Sequence, residues 1–111
     1  MQRAKAQTKF VRISPRKARL AADLIRGMKV EEATTQLMYS KLKAGRLLQK
    51  TLNSAIANAE TTLNVQRRDL KVQEIRVDAG PIIKRAKSKS RGGRVPVMKR
   101  TSHFTVVVSA E

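Results

Sequence analysis

The residues with the clearest chemistry are basic and lie together between Pro81 and Arg100. This stretch holds eight lysines and arginines and no acidic residue. Arginine binds phosphate through paired hydrogen bonds, and lysine binds it as a point charge. Because like charges repel in an isolated chain, the stretch needs a surrounding polyanion to be stable. Its basic residues are Lys84, Arg85, Lys87, Lys89, Arg91, Arg94, Lys99 and Arg100.

Two strand-like runs, Leu70 to Asp78 and Thr101 to Ser109, enclose the basic stretch, and Gly92-Gly93 lies near its middle. This order is typical of a β-hairpin. We therefore predict a hairpin arm over residues 81–100 with its tip near residues 90–94. Roughly nine residues per leg at about 3.3 Å each give a reach near 30 Å. A disordered basic tail is the less favoured alternative, because the stretch lies between two strands rather than at a terminus.

The arm also carries apolar residues on both legs. They are Ile82 and Ile83 on the first leg, and Val95, Val97 and Met98 on the second. Because apolar cross-strand pairs stabilise a hairpin, we predict that these residues pair with one another across the two legs.

Composition limits the class of protein. The 111 residues suffice for one small domain, and the net charge of +17 indicates nucleic acid first and an anionic membrane second. With no cysteine and one histidine, His103, we expect no disulfide, metal site or cofactor. We see no membrane span or signal segment and expect a cytosolic protein. One tyrosine and two phenylalanines are too few for a base-stacking platform, so recognition should rely on phosphate contacts and shape.

The first helix is predicted from Ser14-Pro15, an N-cap serine followed by proline at the first helical position. It should end at Arg26, with Gly27 as its stop. We expect a buried stripe, and phosphate contacts on another face from Arg16, Arg19 and Arg26, since no acid precedes Asp23. The predicted stripe consists of Ala18, Ala21, Leu24, Ile25 and Met28.

Two further helices are predicted, a short one over Val30–Tyr39 and a long one over Lys41–Thr62 that Ser40 caps. In the short helix, Val30, Ala33, Leu37 and Met38 form the stripe. The long helix carries a sustained apolar stripe, with Lys43, Arg46 and Lys50 on its opposite side. That apolar stripe consists of Leu42, Leu48, Leu52, Ala55, Ile56, Ala59 and Leu63.

Three strands complete the body. Thr8 to Ile13 alternates enough for a strand, and we expect Met1 to Lys5 to be frayed or ordered only on a partner. The run Leu70 to Asp78 loses its alternation between Val72 and Ile75, which indicates a bulge. Thr101 to Ser109 is β-branched and should be the central strand, with Phe104, Val106 and Val108 on one face.

These elements predict an α+β fold, in which a small three-stranded antiparallel sheet packs against three helices and carries a long basic β-hairpin extension. We predict a single domain over residues 1–111. Its globular body comprises residues 8–80 and 101–110, and its arm comprises residues 81–100.

No pattern supports an enzyme. His103 has no partner for nucleophilic catalysis and is better explained as a surface or interface residue. Asp78, which precedes Ala79-Gly80-Pro81, is better explained as the end of a strand. Gly92-Gly93 lacks the spacing and the following helix of a phosphate loop and is best explained as a turn.

Four segments together resemble a known family, the bacterial large-subunit ribosomal protein L-twenty-two. They are RLAADLIRG at Arg19–Gly27, SAIANAE at Ser54–Glu60, VDAGP at Val77–Pro81 and KRTSHFTVVVS at Lys99–Ser109. The resemblance covers most of the chain, from about residue 9 to residue 109. The combination of KRTSH before a valine-rich strand with the SAIANAE helix is specific to that family.

The resemblance implies a non-catalytic component of the cytoplasmic ribosome. Its body would lie on the outer side of the large subunit, and its arm would pass through ribosomal RNA and line the polypeptide exit tunnel. The implied partners are large-subunit ribosomal RNA, neighbouring ribosomal proteins and the nascent chain, with a role in assembly, no membrane and no homo-oligomer. Ile83, Lys84 and Arg85 match the segment linked to macrolide response, and the tunnel-facing tip comprises Ser90, Arg91, Gly92, Gly93 and Arg94.

Charge and resemblance together predict a set of RNA-binding residues in the first helix and the segment before it, in the arm, and at the start of the last strand. This set is Lys9, Arg12, Arg16, Lys17, Arg19, Lys84, Arg85, Lys87, Lys89, Arg91, Arg94, Lys99, Arg100 and His103. At the tip the family carries an arginine directly after the glycine, whereas here Gly93 precedes Arg94.

Two other functions fit the charge. A DNA-architectural protein inserts a basic hairpin with an apolar wedge into the minor groove, although Pro96 lies beside the tip rather than at it. A cationic membrane-active domain is weaker, because the long helix has modest charge on its polar face and no aromatic anchor. A preference for folded RNA over duplex DNA would separate the first alternative from a ribosomal protein.

Overall fold

The computed structural model describes residues 2–88 and 94–110, and for residues 85–88 and 94–97 the backbone alone. The elements in chain order are β1 (Gln2–Val11), α1 (Pro15–Ile25), α2 (Val30–Met38), α3 (Lys43–Thr62), β2 (Leu70–Ala79), β3 (Ile83–Ser88), β4 (Arg94–Lys99) and β5 (Ser102–Ala110). Three helices and a three-stranded antiparallel sheet confirm the predicted α+β fold.

Strand β5 is central in the sheet, as predicted, with β1 and β2 antiparallel on either side of it. On one face Phe104, Val106 and Val108 are fully buried against the helices. The register between β2 and β5 shifts between Val72 and Glu74, so the predicted bulge is confirmed. Since the bulge inserts one residue, buried side chains on both sides of it face the same core.

Strand β1 is longer than the sequence pattern indicates. Its pairing with β5 begins at Gln2 opposite Ala110, so the prediction that the first five residues are frayed is wrong for residues 2–5. The strand also ends at Val11 rather than at Ile13. The segment before Thr8 is mostly polar and alternates weakly, so its pattern does not predict a strand. It is held by pairing with β5 and by small apolar side chains on the core, since Ala6 is buried and Ala4 is partly buried against it.

Helix α1 begins at Pro15 after the predicted Ser14 cap and ends at Ile25. Gly27 has a φ of 83°, which is the left-handed conformation expected of a residue that terminates a helix. The predicted stripe is wrong at Leu24, which is 42 % exposed, while Ala22 is buried in its place. The stripe is centred on small residues because α1 packs closely on β2 and α3.

The other two helices differ from prediction at their ends. Helix α2 ends at Met38, and the Met38 side chain is 57 % exposed rather than buried. Helix α3 begins at Lys43 after Leu42, so the prediction that Ser40 caps it from Lys41 is wrong. Ser40 Oγ instead accepts a hydrogen bond from the Leu42 backbone N–H, within the turn before the helix. Leu42 is 40 % exposed and Leu63 is half-buried, whereas the rest of the predicted α3 stripe is buried.

Strands β3 and β4 form a second, two-stranded antiparallel sheet. Its register places Lys84 opposite Met98 and Ile83 opposite Lys99, and it also places Arg85 opposite Val97 and Lys87 opposite Val95. The prediction that the apolar residues of the two legs pair with one another is therefore wrong, since Ile83, Val95, Val97 and Met98 each lie opposite a basic residue and Ile82 lies before β3. The predicted tip residues 90–93 lie outside the described residues.

The molecule is elongated. Its radius of gyration is 16.9 Å and its longest extent is 62 Å, whereas a compact domain of this size has a radius of about 13 Å. In the part of the chain that the structure describes, no helix is both long enough and apolar enough to cross a membrane.

Candidate nucleic-acid interface

A groove of about 490 Å³ opens where α1, α3 and the returning leg of the arm meet. The segment before α1 forms one wall, the first residues of α3 form another, and the end of β4 forms the third. We call it the root groove, because it lies where the arm joins the body. It is lined by Arg12, Ile13, Ser14, Lys17, Leu42, Lys43, Ala44, Lys99 and Arg100.

Five of the nine lining residues are basic and none is acidic. Arg12 and Lys17 come from the start of the chain, Lys99 and Arg100 from the end of the arm, and Lys43 from α3. All five are exposed. Because no carboxylate interrupts them, their charges sum to a positive potential that attracts an anion. The fold thus brings four predicted RNA-binding residues together, although they lie at opposite ends of the sequence.

Helices α1 and α3 both begin at the root groove. Ser14 Oγ accepts a hydrogen bond from the Lys17 backbone N–H at 3.3 Å, which fixes the first turn of α1. Ile13 and Ala44 are buried beneath the basic side chains, so apolar packing holds the two helix starts in place. Since a helix N-terminus carries partial positive charge, both helices add to the charge of the side chains.

Thr101 and Ser102 fasten the root of the arm to the body. Thr101 Oγ1 donates to the Pro81 carbonyl at 2.7 Å, and the Gly80 N–H donates to the Thr101 carbonyl at 2.9 Å. Ser102 Oγ donates to the buried Ile13 carbonyl at 2.7 Å. These bonds satisfy polar groups that the fold removes from water. They also set the position of Lys99 and Arg100, which come directly before them.

His103 supports the irregular end of β1. Its Nδ1 accepts a hydrogen bond from the Phe10 backbone N–H at 3.1 Å, and the two rings meet edge to face at 5.0 Å. Phe10 has a φ of 60°, which a large side chain rarely adopts, and it lies where the register with β5 shifts. The bond and the ring contact therefore stabilise this bulge. That His103 also contacts RNA stays a prediction.

Two arginines of α1 are bonded to strand β2. Arg19 donates through Nε and Nη2 to the Val77 carbonyl at 3.2 and 3.1 Å. Arg26 donates through Nη2 to the Ile75 carbonyl at 3.1 Å and pairs through Nη1 with Asp23. Both side chains hold α1 on the sheet, a role that their spacing does not indicate. A guanidinium has five donors, so an RNA contact by Arg19 remains a prediction.

The other predicted RNA-binding residues do not line the root groove. Lys9, Arg16 and Lys84 are exposed elsewhere. Arg85 and Lys87 lie in β3, and Arg94 begins β4. Ile83, in the segment matched to macrolide response, is half-buried. The remaining predicted residues, Lys89, Ser90, Arg91, Gly92 and Gly93, lie outside the described residues.

Three residues of this site are not indicated by the sequence pattern. Helical spacing places Lys43 on the polar side of α3, but it does not place the start of that helix beside the arm. Thr101 and Ser102 are two consecutive hydroxyl residues at the start of a central strand. Buried hydroxyl groups there need hydrogen-bond partners, and this is the feature of the sequence that could have indicated their role. Their partners come from distant segments, so they cannot be read from local sequence.

The chain matches the model of a protein family described as Ribosomal protein L22p/L17e over residues 6–109. The chain belongs to this family. Among its relatives, the large ribosomal subunit protein uL22 of Protochlamydia amoebophila is 68 % identical over 109 residues, which is 98 % of each chain. The protein of the same name from Chlamydia pneumoniae is 62 % identical over 104 residues, or 94 % of each chain. Since this ribosomal family is structural, the chain is not an enzyme.

Proposed function

We propose that this chain is a structural constituent of the large ribosomal subunit in the cytoplasm, and that it binds ribosomal RNA through the root groove and the arm. Relatives with up to 98 % shared coverage carry the name large ribosomal subunit protein uL22. The observation that carries the proposal is the convergence of five basic side chains and two helix starts on one groove without a carboxylate.

The physical drive for this binding is electrostatic. The five cations of the root groove replace counterions condensed on the RNA phosphates, and the release of those ions supplies much of the free energy. Arg12 and Arg100 can bind phosphate oxygens in pairs, whereas the lysines act as point charges. Along the arm, RNA phosphates take the place of the apolar core that the arm lacks.

The arm extends this contact away from the body. We propose that it passes through folded RNA, lines the polypeptide exit tunnel and faces the nascent chain near residues 90–94. Ile83, Lys84 and Arg85 then form the segment that influences macrolide response. The separate β3–β4 sheet and the 62 Å length support this arrangement. Neighbouring ribosomal proteins are its other partners, it aids assembly, and it acts as a single copy.

The test is sedimentation of the tagged protein from cell extract through a sucrose gradient, before and after a high-salt wash. We expect comigration with the large subunit that survives the wash, because a contact enclosed by RNA exchanges slowly. Movement to the top fractions together with tight binding to duplex DNA would contradict the proposal. Neither the comparisons nor the root groove favours the DNA-architectural alternative.

A further inference from the structure

A second basic groove lies at the other end of the body from the arm. It is formed where the start of β2, the end of β5 and the connection between α1 and α2 meet. Leu70 pairs with Ala110 at this end of the sheet, while Ala79 pairs with Ser102 at the end that carries the arm. We call it the far groove, and its polar lining includes Arg26, Lys29, Arg68, Asp69, Lys71 and Gln73.

The arrangement of charge in the far groove favours an anion. Lys29 and Lys71 are partners in an isolated antiparallel bridge, which places two cations directly opposite each other. Such a like-charge pair is unfavourable by itself and is stabilised by a bound anion. Arg26 is already paired with Asp23. The remaining cations of the groove, Lys29, Arg68 and Lys71, therefore outnumber its one carboxylate, that of Asp69.

The far groove also contains an unused hydrogen-bond acceptor. Gln73 lies at the β2 bulge, between Val72 and Glu74, and has no register partner on β5. Its Oε1 atom is buried, and no donor among the described residues contacts it. A buried acceptor without a donor is unfavourable. Gln73 lines the far groove, and because the terminal torsion of glutamine is broad, the carboxamide can rotate to bring this oxygen to a donor there.

We propose that the far groove is a second RNA site, in which cations bind the phosphates and the Gln73 carboxamide accepts a hydrogen bond from a ribose 2′-hydroxyl. The hydroxyl is the donor that accompanies every RNA phosphate, whatever the base sequence, and it distinguishes RNA from DNA. This inference rests on the proposed function, RNA binding, and deepens it. Two RNA segments would then be joined through the body, one at each end of the sheet.

The experiment compares the affinity of the full chain for a short oligouridylate RNA and for the same sequence with 2′-O-methyl ribose. Both probes carry the same phosphates and bases, so their ratio reports the hydroxyl donor. We expect Gln73→Met to reduce the preference for the unmodified RNA by about fivefold, the value of one neutral hydrogen bond. Gln36→Met, an exposed substitution on α2, is the matched control and should leave the ratio unchanged.

Three further measurements locate the effect. The side-chain carboxamide resonance of Gln73 in the wild-type chain should shift with the unmodified RNA and stay in place with the 2′-O-methyl form. The double variant Lys29→Gln with Lys71→Gln should lower the affinity for both probes by the same factor, because it removes phosphate contacts. The pair Lys17→Gln and Arg100→Gln, in the root groove, should weaken binding without changing the ratio.

Three results would overturn the inference: an unchanged ratio in Gln73→Met, a stationary Gln73 resonance at saturating RNA, or a resonance that shifts equally with both probes. The last result would assign the donor to a base. In each case RNA binding sensitive to Lys17 and Arg100 would leave the proposed function intact. Loss of RNA binding by the wild-type chain would instead contradict the proposed function itself.

Discussion

Gly80 lies where β2 ends and the arm begins, and the space beside it is already occupied. A Cβ atom at this position would stand 2.4 Å from Thr101 Oγ1 and 3.1 Å from His103 Cε1. Thr101 cannot easily move away, because its hydroxyl is bonded to the Pro81 carbonyl. At the scale of single residues, a side chain as small as alanine therefore conflicts with the root of the arm.

We expect Gly80→Ala to lower the free energy of unfolding by about 1–3 kcal/mol, the usual cost of overpacking a filled site. Urea unfolding followed by circular dichroism measures the change. Gly27→Asn is the control, since Gly27 has open space around it and asparagine tolerates its positive φ. Equal stability of Gly80→Ala and the wild type would contradict this expectation, because it would show that the Thr101 side chain moves aside for the added methyl group.

Ser102→Ala tests the buried bond to the Ile13 carbonyl. The substitution leaves that carbonyl without its donor, so we expect a loss of about 1–3 kcal/mol in the free energy of unfolding. Ser54→Ala, on the exposed side of α3, should change it by less than about 0.5 kcal/mol. A thermal or urea melt of both variants measures the difference, and similar values for the two would contradict a stabilising role for Ser102.

Sequence pattern predicts residues whose role is local and fails for those whose role depends on distant partners. Ser14, Pro15 and Gly27 act within one helix, and their predicted roles are confirmed. Arg19 is exposed and basic, so its spacing indicates a phosphate contact. Only the packing of α1 on β2 brings its guanidinium to the Val77 carbonyl.

At the scale of elements, central position and burial decide which predictions hold. Strand β5 is apolar on its buried face and β-branched from Thr105 to Val108, and it is confirmed as the central strand. The first half of β1 is mostly polar and lies at an edge, so its apolar pattern is too weak to predict it. Pairing with β5 and the buried Ala6 side chain hold it in the structure. Helix α3 begins at Lys43 rather than at Lys41, because the Ser40 hydroxyl accepts a hydrogen bond from the Leu42 N–H in the preceding turn.

The arm is a separable element in this structure, since β3 and β4 pair only with each other. Replacing residues 84–98 with Asn-Gly joins the paired residues Ile83 and Lys99 by a two-residue turn. We expect circular dichroism to show a folded body that still sediments with the large subunit at low salt. This variant should dissociate from the subunit at a lower salt concentration than the wild type, because it lacks the arm contacts that RNA encloses.

An unfolded arm-replacement variant would contradict the division into body and arm. A shortened hairpin that retains Lys84 and Met98 as its last pair is the matched control. It keeps the arm root and should fold in the same way.

At the scale of the whole molecule, charge is the dominant quantity. The chain carries 25 lysines and arginines against eight acidic residues. Removing Lys17 and Arg100 together, as Lys17→Gln and Arg100→Gln, should reduce the slope of log affinity against log salt by about 1.5, since each phosphate contact contributes roughly 0.7–0.9. Titration of a ribosomal RNA fragment at several salt concentrations measures the slope.

The matched control for this slope is Lys50→Gln with Arg76→Gln, two exposed cations outside the root groove. This pair removes the same formal charge and should leave the slope close to that of the wild type. Equal slopes for both double variants would mean that net charge, rather than the root groove, determines RNA affinity.

The central position of β5 has a consequence for biosynthesis. Strands β1 and β2 each pair with β5 and not with each other, although β1 is synthesised first. Until residues up to Ala110 have emerged from the ribosome that makes them, neither strand has a partner. A nascent copy therefore exposes its positive charge and the unpaired edges of β1 and β2 until β5 has emerged, and the three-stranded sheet forms only after that point.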